Sequence, residues 1–549
     1  MKSNQNESVV HLRKVKAISL LLLLLGIIIL LFSFVRSYPI TIKSMDDTVF
    51  DKVDYLFWFG FVVVLMGLFA TSISTERLEI RYICSILLIF VFYIHYMLFP
   101  LLLGADSHFF RGATKLFMNV GVTNEKYYFE WPIFFILNSV LANVLSLSVD
   151  SVCIVIFIVE GFLISSTLFI LFSRIDKRLG FFGVALYVIA TYRFLNYQFA
   201  PQSLALGFLL LALCLLERGN KGSRIALIIL LFSMIYAHAF MIIFFLLSIF
   251  IMSLKQKNYR NLFLLSLAIY SAVLTLFTTN FFYTLPNYLT AASFITPGRV
   301  LRATFTEPVS PLDNVAQIIS RAITLSTWFV LSMGFLFQLK NRDIKLRELV
   351  LAIVGFVYFG VGNFVGILGE RAIQVLFLPL VAGYKPFLKK VPKIASLLVL
   401  SFLILFPFII LHDMYSVGSF QTLSGERTTN FLAENLDQGK INIRILGARS
   451  DAGYLNGLLP DNLSFSIEGV LSWGLTTSQL DEFHTKIINS DRNYDLILYN
   501  IILEKELMQS GFNEAEVTIY REKCLLRFNN IYNDGYSFIL NNVQEFAYG

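Results

Sequence analysis

Residues Ala17 to Val35 read AISLLLLLLGIIILLFSFV, nineteen positions without a charge, directly behind a basic segment holding Arg13, Lys14 and Lys16. At 1.5 Å per residue, a helix of that length matches the roughly 30 Å hydrocarbon core of a bilayer. It is long enough to span, and no small-residue cleavage site follows, so it reads as a signal anchor rather than a removable signal peptide. Twelve further apolar runs follow, at 55–74, 82–103, 150–173, 180–195, 202–216, 225–237, 239–254, 261–279, 314–338, 349–367, 373–386 and 394–412. Together they predict a polytopic α-helical membrane protein with about thirteen spanning helices. Runs 225–237 and 373–386 fall short of the roughly 20 residues a span prefers. Such short helices are expected to bend or to end inside a protein-lined cavity.

Composition agrees. Of the 549 residues, 56% are hydrophobic and 15% charged, whereas a soluble domain carries about 25% charged residues. Mean hydropathy is +0.70. A chain this apolar cannot hide its surface in one aqueous core, so lipid must be its main solvent. The 55 Phe and 25 Tyr suit lipid-facing helices with aromatic rings at the interfaces. Cys84, Cys153 and Cys214 lie in apolar runs and Cys524 lies far away near the end, so no pair has disulfide or metal-ligand spacing.

Charge sets the orientation. With a cytoplasmic N-terminus, the inside loops are 75–81, 174–179, 217–224, 255–260, 340–348 and 385–393, and each holds at least two Lys or Arg. The opposite loops are more acidic, as in Asp46, Asp47, Asp51 and Asp54. That is the positive-inside pattern, and an odd span count places everything after His412 outside. Residues 413–549 hold ten Lys and Arg against eighteen Asp and Glu, a net of −8, so the remainder carries +15 of the chain's +7 total. The basic residues serve topology, and nucleic-acid binding is not supported.

The expected organisation is therefore N-terminal spans over 1–81, a membrane catalytic region over 82–412 and an extracytoplasmic α/β domain over 413–549. Within the tail, 427–437 and 477–489 read as helices and 441–446, 496–499 and 517–528 as strands. Asn462-Leu463-Ser464 is a glycan sequon or an ordinary surface loop.

The residues that carry chemistry gather at outside ends of spans. Asp106-Ser107-His108 stands where the third span meets its loop. An acid and an imidazole at that boundary are costly unless used or paired. Asp106 reads either as a general base toward a hydroxyl or as a cap on a helix starting at Ser107. Further on, Tyr127-Tyr128-Phe129-Glu130-Trp131-Pro132 is an aromatic belt with a helix start at Pro132, or it presents Glu130 as a second carboxylate. The segment from Trp131 to Val149 is expected to lie along the interface. Arg193 precedes YQFAPQSLAL (197–206), His238 sits in a tight turn, and Glu370-Arg371 ends an outside loop. Arg371 does not serve positive-inside topology. Its guanidinium suits a phosphate bidentately or pairs with Glu370 or a lipid headgroup.

In this order of features the chain resembles the GT-C superfamily of membrane glycosyltransferases. These are polyprenyl-phosphate-sugar-dependent enzymes that include the protein O-mannosyltransferases and the lipid A aminoarabinose transferases. The resemblance rests on Asp106 with His108, the aromatic-Pro step from Tyr128 to Phe135, the segment Tyr197–Leu206, His238, and Glu370-Arg371. The stretch Asn530–Gly535 is similar to the tail of outside domains in archaeal members. The likeness covers about 82–412, and the tail only weakly. Two departures stand out: Asp106 follows the third span rather than the first, and no Trp-Trp-Asp-Tyr-Gly motif or second acid two residues after Asp106 is present. These argue against an oligosaccharyltransferase with a metal-binding pair.

The resemblance implies inverting transfer of one sugar from a polyprenyl-phosphate donor to a hydroxyl of a glycan, lipid or protein acceptor at the outer face. Asp106 would be the general base, with His108 and Glu130 beside it, and Arg371, Arg193 and His238 would bind the carrier phosphate. It fixes no cofactor and leaves a divalent metal open. A polysaccharide polymerase or ligase is the alternative enzyme class, though these usually lack the early Asp and the α/β tail. A transporter would instead need inverted repeats and ionisable residues at mid-membrane depth. The topology is testable directly. Protease added to intact, wall-free cells should cleave within 413–549 and spare the 340–348 loop, and the opposite pattern would invert the assignment.

Overall fold

The computed structural model describes residues 2–38, 53–98, 105–120, 132–192, 201–216, 221–237, 239–255, 257–277, 311–342, 344–365, 372–414, 423–435, 443–448, 465–469, 496–500, 512–527, 529–533 and 537–541, with 454–455, 458, 503–504 and 507–508. Each of the thirteen apolar runs contains a helix. They are α1 (Lys2–Ser37), α2 (Tyr55–Ser74), α3 (Leu78–Leu98), α6 (Val149–Ser173), α7 (Leu179–Thr191), α8 (Pro201–Leu216), α9 (Lys221–Ala237), α10 (Ala239–Lys255), α11 (Lys257–Phe277), α12 (Pro311–Lys340), α13 (Leu346–Val365), α14 (Ala372–Ala382) and α16 (Pro392–Met414). Between α3 and α6 lie α4 (Ala105–Val120) and α5 (Pro132–Leu145), and α15 (Lys385–Lys390) joins α14 to α16.

Among the described residues, six helices are long and apolar enough to cross a bilayer: Val15–Ser37, Tyr55–Ser74, Leu78–His95, Val149–Ser173, Asn314–Lys340 and Pro392–Leu411. Helix α1 exposes Leu20, Leu21, Leu24, Leu25, Ile28, Leu31 and Phe32 to its surroundings. A contiguous apolar face of that kind is stable only against lipid or a partner of like character. By contrast α7 and α14 are buried at every position. The protein is thus a multi-pass membrane bundle whose shortest helices are shielded by the longer ones, as the short runs require.

Close backbone approach holds α1 to α2. A Cβ added at Gly67 would lie 2.6 Å from Leu23 Cα, and one at Gly60 would lie 2.8 Å from the Leu30 nitrogen. The pairs run in opposite directions along the two helices, so the contact is antiparallel. Small residues are what lets membrane helices gain van der Waals contact where lipid removes the hydrophobic drive.

Arginines tie together the loops read as inside. Arg81 donates to the Ser72 carbonyl at 3.1 Å and to that of Lys177 at 3.2 Å, and Arg174 donates to Cys214 O at 2.9 Å. The Ser72 and Cys214 carbonyls lie in the last turns of α2 and α8, where carbonyls have no partner inside their own helix. Elsewhere Gln338 Nε2 donates to Ala382 O at 2.9 Å and Lys390 stands 4.4 Å over the Phe337 ring, joining α12 to the α14–α15 step.

The tail contains α17 (Leu423–Asn435), β1 (Ile443–Gly447), β2 (Phe465–Gly469), β3 (Leu496–Asn500), α18 (Glu514–Arg527), β4 (Asn529–Asn533) and β5 (Ser537–Asn541). The sheet runs β2-β1-β3-β5-β4, with β1 parallel to β2 and β3, and β5 antiparallel to β3 and β4. Ile445, Leu496, Leu498 and Ile539 share an apolar cluster with Leu432 of α17. The alternate residues Leu446, Ile497 and Tyr499 join Val517, Tyr520 and Cys524 of α18. Covering both faces is why β3 reads as an unbroken apolar run. The four cysteines are buried and none is in a disulfide.

One expectation fails: of the run 517–528 read as a strand, residues 517–527 are helical. Val517, Tyr520 and Cys524 are the buried positions there, three and four residues apart, which is one helical face. Asn513 N donates to Glu516 Oε2 at 2.8 Å and Glu516 N donates to Asn513 Oδ1 at 2.9 Å. This reciprocal capping box starts α18. The expected helix 477–489 and the Asn462 sequon lie outside the described residues.

Gly67→Val tests the α1–α2 contact. Forcing a branched side chain into that gap should cost about 1–3 kcal/mol, seen as a lower unfolding temperature in detergent. An unchanged transition would remove the close-packing account.

Candidate functional site

Asp106 and Ser107 both lie within α4, so the helix does not start at Ser107. The Asp106 side chain, and Glu130, Arg193, His238 and Arg371 altogether, lie outside the described residues. His108 is fully buried, as is Arg111 one turn on.

Two faces of α4 do different work. Phe110 meets Phe134 and Phe135 of α5 with ring centroids 5.9 and 6.4 Å apart, and Phe117 meets Phe135 at 6.4 Å. These join Val152, Ile156 and Leu204 in an apolar cluster. Ile136, Val140 and Val144 of α5 are exposed, four residues apart, so α5 keeps one apolar stripe outward, as an interfacial helix does. On the second face, Arg111 Nη1 and Lys115 Nζ each lie 3.6 Å from a carboxylate oxygen of Asp150 in the first turn of α6. Burial pulls the Lys115 ammonium toward neutrality, but Asp150 and the Tyr454 hydroxyl outweigh it and hold its pKa above the ordinary lysine value.

The spans converge at the end of α7. Tyr192, which follows α7, shares a 3.1 Å hydrogen bond with His95 Nε2 of α3. Its ring stacks on Tyr93 at 5.2 Å and meets Phe406 of α16 edge-on at 5.1 Å. Trp328 Nε1 of α12 donates to Ala190 O at 2.8 Å, and the Tyr187 hydroxyl donates to Gln374 O of α14 at 2.7 Å. This matters for the residues named from sequence. Arg193 is the next residue after Tyr192 and Arg371 immediately precedes α14, so described residues close in sequence to these two meet at this junction. Asp106 belongs to α4, which packs on α5 and α6. For Glu130 and His238 the neighbours Pro132 and Ala237 belong to α5 and α9, which pack together.

Sequence reading missed several of these groups. His95 and Tyr192 sit inside or beside apolar runs, and their one signal is a polar ring within otherwise aliphatic sequence. Arg111 and Lys115 follow His108 by three and seven residues, a helical spacing that was open to view. Glu160 is a buried carboxyl at the middle of α6, so the ionisable residues are not confined to span ends. Among the described residues no group of three His, Cys, Asp or Glu has the spacing to hold a metal.

Fold and site together define a multi-pass helical membrane protein with polar groups collected at one end of its bundle. No protein-family model and no curated protein sequence matches the chain. Among solved structures it is similar to ArnT from Cupriavidus metallidurans bound to undecaprenyl phosphate, with 12% identity and a TM-score of 0.46 over 85% of this chain and 98% of that one. The apo state of the same protein gives 10% identity and 0.45 over the same shares. A likeness at this level assigns neither reaction nor ligand to this chain.

The α7 junction is testable without a substrate. Tyr192→Phe leaves the His95 ring without that partner, so stability should fall by about 1–3 kcal/mol, the penalty for an unmet buried polar group. A melting temperature in detergent equal to wild type would show that the hydrogen bond contributes nothing.

Proposed function

We propose that this protein is an inverting glycosyltransferase that moves a sugar from a polyprenyl-phosphate donor to a hydroxyl of a glycan, lipid or protein acceptor. The reaction takes place at the outer face, in cell-surface glycan or glycoprotein synthesis. In this reading about thirteen helices span the membrane, the N-terminus is cytoplasmic, and the 413–549 domain is extracytoplasmic over a catalytic region at 82–412.

The observation that supports it is the junction at the end of α7, where Tyr192 meets His95 at 3.1 Å and Tyr187 meets Gln374 at 2.7 Å, close in sequence to Arg193 and Arg371. In this reading the Asp106 base and the two guanidiniums serve a single displacement. The Asp106 carboxylate takes the acceptor's hydroxyl proton while that oxygen bonds to the anomeric carbon. The bond from that carbon to the donor phosphate oxygen breaks, and its electron pair leaves on the phosphate. Arg371, with Arg193 and His238, offsets the charge that develops on the departing phosphate, which is where electrostatic preorganisation contributes most. His108 and Glu130 flank the base. No nucleotide is involved, in keeping with the lack of a Gly-rich phosphate loop in the sequence.

Membranes carrying the protein should transfer label from polyprenyl-phosphate sugars, and Asp106→Asn should abolish that transfer at near-normal expression. An Asp106→Asn protein with wild-type turnover would eliminate the general base. Vectorial uptake of a solute dependent on Glu160 would favour the transporter alternative, for which that mid-span carboxyl is the pertinent observation.

A further inference from the structure

We propose that Tyr454 is a positioning residue through which the tail domain grips α4, the helix that carries Asp106 and His108; the catalytic part of this rests on the reading of Asp106 as base. Tyr454 is wholly buried although it belongs to the aqueous tail. Its ring lies under the Arg111 guanidinium, 4.4 Å from centroid to Cζ, and its hydroxyl accepts from Lys115 Nζ at 2.7 Å. The same hydroxyl donates to Asn430 Oδ1 of α17 at 3.2 Å. One phenol therefore links a helix of the bundle to a helix of the tail, across 339 residues of sequence.

The backbone at Tyr454 is fixed from the tail side. Its neighbour Leu455 is buried in the cluster formed by Leu432 of α17, Ile445 of β1 and Leu498 of β3. Adjacent side chains thus point into two different bodies, one into the sheet's apolar layer and one onto α4. On the membrane side, Arg111 and Lys115 also meet Asp150 at 3.6 Å each. The two cations stand between a carboxylate on α6 and a phenol on the tail. A cation over a tyrosine face gains most where water is excluded, as it is for the fully buried Arg111. His108, Arg111 and Lys115 recur at three and four residues, so the grip acts on the same helical face as His108. Holding α4 from both sides fixes the rotation of its first turn, and small misplacements of a reacting group cost large factors in rate.

The test uses the full-length protein in native membranes, with labelled undecaprenyl-phosphate hexoses as donor probe. Tyr454→Ala should lower kcat by roughly ten- to a hundredfold and leave the donor KM within about twofold. Tyr454→Phe keeps the ring on Arg111 but loses both hydroxyl hydrogen bonds, so its kcat should fall between wild type and Tyr454→Ala, which a role in packing volume alone would not predict. A raised KM with unchanged kcat, or Tyr454→Phe with wild-type kcat, would overturn the positioning role. A second measurement needs no turnover. A photo-crosslinking benzoylphenylalanine in place of Tyr454 should capture a peptide from Ala105–Val120, identified by mass spectrometry. Capture elsewhere would overturn the docking itself. Capture on α4 in a protein that transfers none of the probes would overturn the transfer reading and the positioning role, and would leave the contact established.

Discussion

Inside a lipid-embedded bundle a carbonyl left over at a buried helix end is costly unless the chain itself meets it. That requirement is most demanding at the end of α7, which is buried along its whole length. The Ala190 carbonyl takes Trp328 Nε1 and the Tyr187 carbonyl takes the Thr191 hydroxyl at 2.7 Å. The aromatic rings that supply such donors bring their own polar atoms, which then need partners too. Tyr187 finds Gln374 O and Tyr192 finds His95. Satisfying one helix end therefore fixes α3, α12 and α14 against α7, with α16 added through the Tyr192–Phe406 contact. The platform is a consequence of buried polarity in a dry medium.

The described part of α14 follows the same rule. Its residues 372–382 are all buried, and Gln338 meets the last of its carbonyls, that of Ala382, so the helix is tethered where it turns.

What was legible in the sequence follows from the range of the forces involved. Hydropathy is a local property, and each run from Ala17–Val35 to 394–412 contains a helix. The strands at 443–447 and 496–500 are short apolar runs and were equally open to reading. Residues 517–528 were misread because Val517, Ile519 and Arg521 alternate with polar or half-polar neighbours, so period two and period 3.6 compete over a dozen positions. Asn513 and Glu516, three residues apart, were the signal that decides for the helix. The cluster of Arg111, Lys115, Asp150 and Tyr454 was not legible, since its members come from three distant segments and no local pattern announces them. His95 illustrates the intermediate case: an imidazole in an apolar run announces a buried partner but not which one.

The placement of charge on α4 has a further physical consequence. Arg111 and Lys115 are two cations on one helical face, and Asp150 alone leaves the trio with a net positive charge. The tail, with its net of −8, supplies the balance at long range, while Tyr454 supplies a face and a hydroxyl at contact. Long-range attraction brings an acidic domain toward a basic end of the bundle but does not orient it, because Coulomb forces at this range are screened within about 10 Å at ordinary ionic strength. Orientation needs a short, directional contact. A phenol between a guanidinium and an ammonium meets that need: the ring fixes the plane and the hydroxyl fixes the rotation about it. The acidic composition of the tail and the single buried tyrosine therefore act at different distances on the same alignment.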